Sequence, residues 1–222
     1  MQEYEKHGAI TICRMEQRTP GWFAARAGRV TGSEAKTVRM AKSTAGRKTY
    51  MRNLAVERIT GLVAEFGFVS KEMQHGIDKE PLARMAVEEH LGIMIRETGF
   101  LRHDIWMIGS SLDGDTNNLE LITEIKCPNS ATHIGYLDDD ILPKEYEAQC
   151  MHNLLVSGAS QIIFASFDDR LPEGLQLFTK IVNRSDLPMA EYEKDLFAFI
   201  AEVDDLEVRL RSRQTYGDLL AA

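Results

Sequence analysis

Cysteine is scarce in this chain of 222 residues, with only Cys13, Cys127 and Cys150 spread along it. An odd number at wide spacing argues against a disulfide framework and against a zinc or iron–sulfur site. Apolar runs approaching the ~20 residues of a transmembrane helix are also missing. The N-terminus MQEYEKHGAI is too charged for a secretory signal. We therefore expect a cytoplasmic protein with reduced cysteines and no membrane partner.

Low-complexity linkers and internal repeats are absent as well, and 222 residues suffice for one well-packed domain. We expect a single domain over residues 1–222. Within it, the sequence indicates a basic part at about 18–60, a core at about 61–185 and a C-terminal helix at about 187–213.

Positive charge is in deficit overall, since 26 Lys and Arg face 34 Asp and Glu, for a net charge of -8. The deficit is uneven: residues 1–60 hold 12 basic and 5 acidic residues, whereas residues 61–222 hold 14 and 29. Nine basic residues lie between Arg26 and Arg58, against only two acidic ones. This segment predicts either a phosphate-binding surface or a solvated basic helix face.

Among the acidic residues, one spacing stands out, D-x10-E-x-K at Asp113, Glu124 and Lys126. The β-rich stretches 105–111 and 119–127 flank a Gly/Asp/Asn turn, which predicts a hairpin with Asp113 at the end of its first strand. Alternation along the second strand places Glu124 and Lys126 on one face. Carboxylates and a main-chain carbonyl suit a hard divalent cation, and a lysine can orient or deprotonate water. The pattern therefore indicates metal-dependent phosphodiester hydrolysis.

Two other interpretations of these residues stay open at this point. In the first, Lys126 is half of a surface ion pair and the turn acids are solvated. In the second, the segment is a calcium-binding EF-hand loop, whose positions 1, 3, 5 and 12 are matched by Asp113, Asp115, Asn117 and Glu124. Position 6 is Asn118 where that loop needs Gly, and the flanks are strand-like, which argues against an EF-hand.

Apolar spacing predicts helices at residues 48–60, 70–91, 144–157 and 187–213. Strands are predicted at 161–167, at 174–182, and at 93–102 as an antiparallel partner of 105–111. Pro81 predicts a kink, or that its helix begins there. Glu80 is either one more surface acid or a carboxylate directed at the hairpin. A helix inserted between strands predicts an α/β or α+β layered sheet.

The N-terminal part contains shorter signals. Pro20 opens a short helix that ends near Gly28, and Thr31 with Glu34 fits a capping box at the start of another. Residues 42–48, KSTAGRK, are typical of a polar basic loop.

Four motifs follow one another in this chain. They are W-x3-R-x-G-x-V/I-T-x-S at residues 22–33, G-x3-E-x2-A at 76–83, S-x-D-G with E-x-K-C-P at 111–128, and Y-x2-Q at 146–149. In this order the motifs resemble those of the lambda exonuclease and YqaJ-type viral recombinase family, and the resemblance runs from about residue 18 to about residue 169.

The resemblance implies an α/β (α+β) fold with a restriction-endonuclease-like core, a central mixed sheet flanked by helices. It further implies two Mg²⁺ ions per site, with Mn²⁺ as an alternative. The implied activity is 5′ to 3′ digestion of one strand of linear double-stranded DNA, which leaves a 3′ overhang for homologous recombination by strand annealing. Implied partners are double-stranded DNA with 5′-phosphorylated ends, two further copies of the chain in a ring-shaped homotrimer, and a single-strand annealing protein.

The resemblance also implies roles for individual residues. Asp113, Glu124 and the Ile125 carbonyl would hold the metal that carries the attacking water, Glu80 would help to hold the second, and Lys126 would activate the water. The residues implied at the DNA are Arg26 and Ser33 on the 5′-phosphate, Gln149 beside the active site, and Arg47 inserted into the duplex.

One departure from the family pattern concerns the turn, where Asp115 or Glu120 could substitute or compete as a ligand. Rival functions are a restriction-type endonuclease on the same core and a non-catalytic protein that binds DNA ends.

Overall fold

The structure is a computed structural model that describes residues 4–63, 70–116 and 118–221, and their side chains except at 72 and 214–221. Within these ranges the chain forms nine strands and seven α-helices. The strands are β1 (Tyr4–His7), β2 (Ile10–Cys13), β3 (Val30–Thr31), β4 (Gly99–His103), β5 (Ile108–Leu112), β6 (Gly114–Thr116), β7 (Leu121–Lys126), β8 (Gln161–Phe167) and β9 (Leu177–Asn183). The helices are α1 (Pro20–Arg26), α2 (Ala35–Val38), α3 (Ala45–Thr60), α4 (Lys71–Leu91), α5 (Ser130–Asp139), α6 (Lys144–Ser157) and α7 (Met189–Ala221).

The strands form two mixed sheets. One has the order β1-β2-β4-β5-β3 and the other the order β6-β7-β8-β9. Each contains one parallel pair, β3 with β5 and β7 with β8, and the remaining pairs are antiparallel. Helices α5 and α6 lie between β7 and β8 in the chain, as a parallel pair requires. The predicted fold class, mixed strands flanked by helices, is confirmed, with the sheet divided into two parts.

The predicted hairpin between residues 105–111 and 119–127 is wrong in its pairing. β5 pairs with β4 in the first sheet, with Leu112 opposite Gly99. The chain then passes to the second sheet at Asp113, and β6 pairs with β7, with Gly114 opposite Thr123. An alternating pattern predicts a strand but not its partner. The passage of the chain from the first sheet to the second favours glycine at position 114, because a Cβ there would lie 2.3 Å from Ile95 Cγ2.

The antiparallel pairing of β4 with β5 is confirmed, but the first strand is shorter than predicted. Of the predicted stretch 93–102, only the part from Gly99 onward belongs to β4. Before β4, Arg96 makes an isolated β-bridge to Asp115, which belongs to β6 of the second sheet. These residues are therefore held by the second sheet rather than by the first.

The predicted long helices are present, with shifted ends. Ser70 accepts a hydrogen bond from the Met73 main-chain N, so α4 begins at Lys71 and runs through Pro81. The alternative that this helix begins at Pro81 is wrong. Pro81 lies on an exposed face, where water can solvate the carbonyl that loses its N–H partner. Gly158 ends α6 at a φ of 75°, the left-handed conformation that glycine adopts most readily.

The predicted capping box at residues 31–34 is wrong. Thr31 makes no capping hydrogen bond, and its main chain belongs to β3, which pairs in parallel with β5. A 3-10 turn, Gly32–Glu34, follows and leads directly into α2. The Thr31 main-chain N donates to the Tyr50 hydroxyl at 3.3 Å, which holds this turn against α3.

Helix α7 packs on the core through one narrow stripe. Its fully buried residues among those with described side chains follow helical periodicity, and they are Tyr192, Leu196, Phe199 and Val203, each 0% exposed. Burying one such side chain contributes about 1.5–3 kcal/mol. α7 has 33 residues. Even so, none of the helices in the described part of the chain combines the length and apolarity needed to cross a membrane.

Candidate active site

Two carboxylates and an ammonium meet where the two sheets join. Asp113 lies between β5 and β6, and its Oδ2 accepts a hydrogen bond from the Ile125 main-chain N at 2.6 Å. Lys126 pairs with Glu124 Oε1, so the two side chains share one face of β7, as predicted. Glu124 is only 1% exposed. The interpretation as a surface ion pair is therefore wrong, and the sequence pattern corresponds to one buried cluster.

Glu124 is held by two amides from the same helix. Gln149 Nε2 donates to Glu124 Oε1 at 2.6 Å, and Asn153 Nδ2 donates to Glu124 Oε2 at 2.7 Å. The two amides lie four residues apart on α6, which places them on one face of the helix. Gln149 thus lies beside the acids, as the resemblance implied. Asn153 was missed, because a single Asn on a helix carries no motif.

Glu80 faces the same cluster from α4. Arg84, one turn later, donates to Glu80 Oε1 at 2.9 Å and to Glu97 Oε1 at 2.6 Å. Burial raises the pKa of Glu80, and Arg84 opposes that increase. The interpretation of Glu80 as one more surface acid is therefore wrong, because its carboxylate is partly desolvated and electrostatically coupled to Glu124.

The cluster carries more negative than positive charge. Burial raises the pKa of Asp113 well above its ordinary value, and Glu124 and Glu80 raise it further, while Lys126 lowers it. For Lys126, burial acts to lower the pKa, but the Glu124 and Asp113 carboxylates outweigh it and leave the pKa raised. Two carboxylates therefore act on the Lys126 ammonium in a poorly hydrated site, and Glu80, which is paired with Arg84, adds a third, so additional positive charge would be stabilised there.

A divalent cation fits this donor set. The Asp113 and Glu124 carboxylates and the Ile125 carbonyl are hard oxygen donors, and Glu80 adds another. Within the described residues, no three His, Cys, Asp or Glu side chains are close enough to hold a metal unaided. Lys126 is paired with Glu124 and Arg84 with Glu80. One further expected donor, the Ile125 carbonyl, belongs to the main chain. The donors thus suit Mg²⁺ or Mn²⁺ chemically.

Two cavities open onto the acids. One, of about 430 Å³, is lined by Glu80, Asp113, Lys126 and Tyr146 among others. The other, of about 500 Å³, also reaches Glu80 and Asp113 and extends along Gly99 and Leu112. A larger cavity of about 820 Å³ lies between β8, β9 and the start of α7, and none of the cluster's acids lines it. The chemistry therefore belongs to the two smaller cavities.

Asp115 and Glu120 do not join the cluster. Asp115 is buried, with Oδ1 accepting from Arg96 at 2.8 Å and Oδ2 accepting from Thr98 at 2.9 Å. Glu120 is exposed in the turn before β7. Because Asp115 points to Arg96 and the flanks are strands, the EF-hand interpretation is wrong. Asn117, which matches position 5 of that loop, lies outside the described residues.

Arg26 reaches the segment of Asp113 through a serine. At the end of α1, its guanidinium lies 4.3 Å from the Trp22 ring centroid and 5.5 Å from that of Phe100. Its Nη1 donates to Ser111 Oγ at 3.2 Å, two residues before Asp113. Burial lowers the pKa of Arg26. Ser111 is a polar group that sequence reasoning did not assign to the site, although its place in the S-x-D-G motif could have indicated it.

Ser33 approaches from the other side. Its side chain is exposed on the 3-10 turn, and its Oγ lies 3.4 Å from Thr31 Oγ1. The preceding residue, Gly32, packs against Gln149 and Asn153, the two residues that hold Glu124. Arg26 is thus linked to the segment of Asp113 through Ser111, and the turn that carries Ser33 is linked to Glu124 through Gln149 and Asn153.

Arg47 lies elsewhere than predicted. α3 begins at Ala45, so Arg47 belongs to a helix rather than to the predicted loop. It is 4% exposed, and its Nη1 and Nη2 donate to the two oxygens of Glu202 on α7 at 2.7 and 3.0 Å. Its guanidinium also lies over the Phe199 ring. Because this side chain is already paired and desolvated, we withdraw its expected insertion into DNA.

Much of the remaining basic segment is also paired with α7. Arg39 bonds Asp195, Lys42 pairs with Glu202, and Arg58 pairs with Asp204. These ion pairs with α7 offset part of the positive charge of the segment, although Lys42 itself is 77% exposed. Three exposed basic residues between Arg26 and Arg58 have no ion pair to any described residue, and they are Lys36, Lys48 and Arg52.

Comparison with known proteins agrees with this geometry. Residues 21–160, which contain all four motifs, match the family described as YqaJ-like viral recombinase domain. Among solved structures, the chain is similar to an alkaline exonuclease (LHK-Exo) from Laribacter hongkongensis, with 34% identity and a TM-score of 0.80 over 89% of this chain and 99% of that one. The complex of LHK-Exo with dAMP matches with the same values. No curated protein matches the sequence.

A phage related exonuclease from Haemophilus somnus shares the fold at 18% identity, with a TM-score of 0.62 over 84% of this chain and 96% of that one. The resemblance inferred from the four motifs is confirmed by these matches, and with it the expected restriction-endonuclease-like core.

Proposed function

Because the chain belongs to the YqaJ-like viral recombinase family, we propose that it is a Mg²⁺-dependent 5′ to 3′ exonuclease of double-stranded DNA. It degrades one strand of a linear duplex and leaves a 3′ single-stranded overhang for recombination by strand annealing. The similar protein from Laribacter hongkongensis is described as an alkaline exonuclease, which supports the class of reaction.

The observation that carries the proposal is the cluster of Asp113, Glu124 and Glu80 around Lys126. Burial of Asp113 and repulsion from Glu124 and Glu80 both raise the pKa of Asp113, and a bound cation would offset both effects. Asp113, Glu124 and the Ile125 carbonyl would hold one Mg²⁺, and Glu80 would help to hold a second. Bound there, the cations would lower the pKa of a water and stabilise the charge that develops on the attacking and leaving oxygens.

Lys126 then has a defined task. Its raised pKa keeps it an ammonium while Glu124 and Asp113 are unshielded, so in this state it can only donate. When the charge of these carboxylates is neutralised, the pKa of Lys126 falls toward the value that burial alone would give it. It can then accept a proton from the attacking water.

Arg26, Ser111 and Ser33 are suited to hold a terminal phosphate. The Arg26 guanidinium donates to Ser111, two residues before Asp113, and Ser33 lies exposed on the turn whose Gly32 packs against Gln149 and Asn153. A terminal phosphate carries nearly two charges and three free oxygens, whereas an internal phosphodiester carries one charge. An Arg with two hydroxyls therefore favours a 5′-phosphorylated end, and Gln149 keeps Glu124 in place as that strand is cut.

Assembly and partners complete the proposal. Family resemblance supports a homotrimeric ring, a single-strand annealing protein as partner, and a cytoplasmic location. A ring lined by basic residues would reconcile DNA binding with the net charge of -8, since the field inside a channel is set by the residues that face it. Light scattering should give three times the 25.1 kDa of the monomer. A monomer at micromolar concentration would contradict the ring.

The test is digestion of end-labelled linear duplex with Mg²⁺, with Mn²⁺ and with EDTA, beside a covalently closed circle of the same sequence. We expect release from 5′ ends, a protected complementary strand and an intact circle. Lys126→Met serves as the inactive control of similar size. Cutting of the circle would indicate the endonuclease alternative, whereas end binding without cleavage would indicate the non-catalytic one.

A further inference from the structure

The buried amide of Asn153 joins two parts of the candidate site. Asn153 is 1% exposed, and its Nδ2 donates to Glu124 Oε2 at 2.7 Å. Its Oδ1 accepts from Ser110 Oγ at 2.6 Å. Because the Ser110 hydroxyl takes the oxygen side of the amide, the NH₂ group points toward Glu124 and stays there.

The same amide touches the turn that carries Ser33. A Cβ at position 32 would lie 2.5 Å from Asn153 Oδ1 and 3.5 Å from Gln149 Cγ. Gly32 does not have a positive φ, so its backbone conformation is open to any residue. The close approach of the Asn153 amide is what requires a glycine there. The turn and the amide therefore cannot move independently.

We propose that Asn153 is a positioning residue that couples Glu124 to the Gly32–Glu34 turn. Through one side chain, it fixes the orientation of a carboxylate that would hold a cation and the place of the turn that would receive the terminal phosphate. This rests on the proposed function for the two ligands, but the contacts themselves belong to the protein alone. None of the four motifs includes Asn153.

The coupling makes a prediction that simple core packing does not. Gly32 is not a ligand, yet Gly32→Ala should push the amide away from Glu124 and so weaken cation binding. If Asn153 is first removed, the added Cβ has room, and Gly32→Ala should have no further effect. The two substitutions should therefore be non-additive, as expected of residues in direct contact.

The experiment measures Mn²⁺ binding by electron paramagnetic resonance on the purified protein without DNA, together with thermal unfolding. The variants are Gly32→Ala, Asn153→Ala and the double variant. Gly135→Ala is the control, since a Cβ there meets nothing within 4 Å. We expect each single variant to lose about 10- to 100-fold in Mn²⁺ affinity, the usual effect of removing an outer partner of a metal ligand. The double variant should bind like Asn153→Ala, and the control like the wild type.

Wild-type Mn²⁺ affinity in Gly32→Ala, or losses that multiply in the double variant, would overturn the coupling. So would a lowered melting temperature with unchanged affinity, because it would show a purely structural role. If Asn153→Ala does not fold, Asn153→Ser is measured in its place. If the wild type binds Mn²⁺ but cuts no DNA, the proposed function is refuted, and the coupling can still be measured from the Mn²⁺ affinities of the variants. If the wild type does not bind Mn²⁺, both proposals are refuted.

Discussion

Arg26→Ala should slow the digestion of 5′-phosphorylated duplex far more than that of 5′-hydroxyl duplex. The Arg26 guanidinium lies over the rings of Trp22 and Phe100 and donates to Ser111 through Nη1, so it is oriented before DNA arrives. Burial lowers its pKa, which means that its charge is poorly solvated. A phosphate would supply the missing solvation, so the bond is stronger than one at an exposed arginine.

The magnitude follows from the lost bond. A hydrogen bond to a charged group contributes about 1.5–3 kcal/mol. At about 1.4 kcal/mol per tenfold, this predicts a loss of about 10- to 150-fold on phosphorylated ends. Loss of the stacking on Trp22 lowers the stability of the pocket for both substrates. It therefore cancels when the two rate ratios are compared.

The assay is a two-by-two comparison of single-turnover rates, with wild type and Arg26→Ala on 5′-phosphate and 5′-hydroxyl duplexes whose other ends are blocked. Arg52→Ala is a matched control, because Arg52 is an exposed cation on α3. Ser111→Ala should shift the ratio in the same direction as Arg26→Ala, but less. Equal wild-type rates on both ends, or an equal loss on both in the variant, would show that Arg26 binds the backbone and does not recognise the terminus.

Three further predictions concern catalysis and stability. Lys126→Ala should reduce single-turnover cleavage by about 100-fold or more with DNA binding retained in a filter assay, and near-normal cleavage would contradict its role. Glu202→Gln should lower the free energy of unfolding in urea by about 1–2 kcal/mol at pH 7. Hydrogen bonds from Arg47 hold the pKa of Glu202 at about 2, so the difference should vanish as the pH falls from about 4.5 toward 2, and a pH-independent difference would argue against this ion pair. Burial lowers the pKa of His152 to about 4, so wild-type stability should fall by about 3 kcal/mol as the pH drops from about 6.5 to 4. His152→Gln should flatten that slope, and parallel slopes would exclude His152 as its source.

The elements that the sequence predicts well are those whose signal is local. The apolar residues of α7 recur at helical spacing, and Gly158 closes α6 with a positive φ, so both helices follow from neighbours in the chain. The D-x10-E-x-K spacing likewise gives the right cluster, because Glu124 and Lys126 alternate on a single strand. For the two helices and for Glu124 with Lys126, the determining contacts span only a few residues.

The predictions that fail depend on contacts between residues that are distant in the sequence. The partner of β5 is set by packing between distant segments, so the wrong hairpin was built from correctly located strands. Arg47 resembles a DNA-binding residue in sequence because its partner, Glu202, lies 155 positions away. Asn153 and Ser111 are ordinary polar residues until the fold brings them to Glu124 and Arg26.

The pairing between the basic segment and α7 has a consequence for how the protein would respond to salt. Each phosphate neutralised on duplex DNA releases condensed counterions, and log affinity falls with log salt by about 0.9 for each. Nine free cations between Arg26 and Arg58 would give this segment a slope of about -8. Of these nine, and apart from Arg26 at the proposed terminal-phosphate site, only Lys36, Lys48 and Arg52 are exposed and without an ion pair among the described residues, which reduces their contribution to about -3. A shallow slope means that rising ionic strength releases the duplex only gradually. The segment would therefore add to retention on DNA over a broad range of salt instead of acting as a sharp electrostatic release.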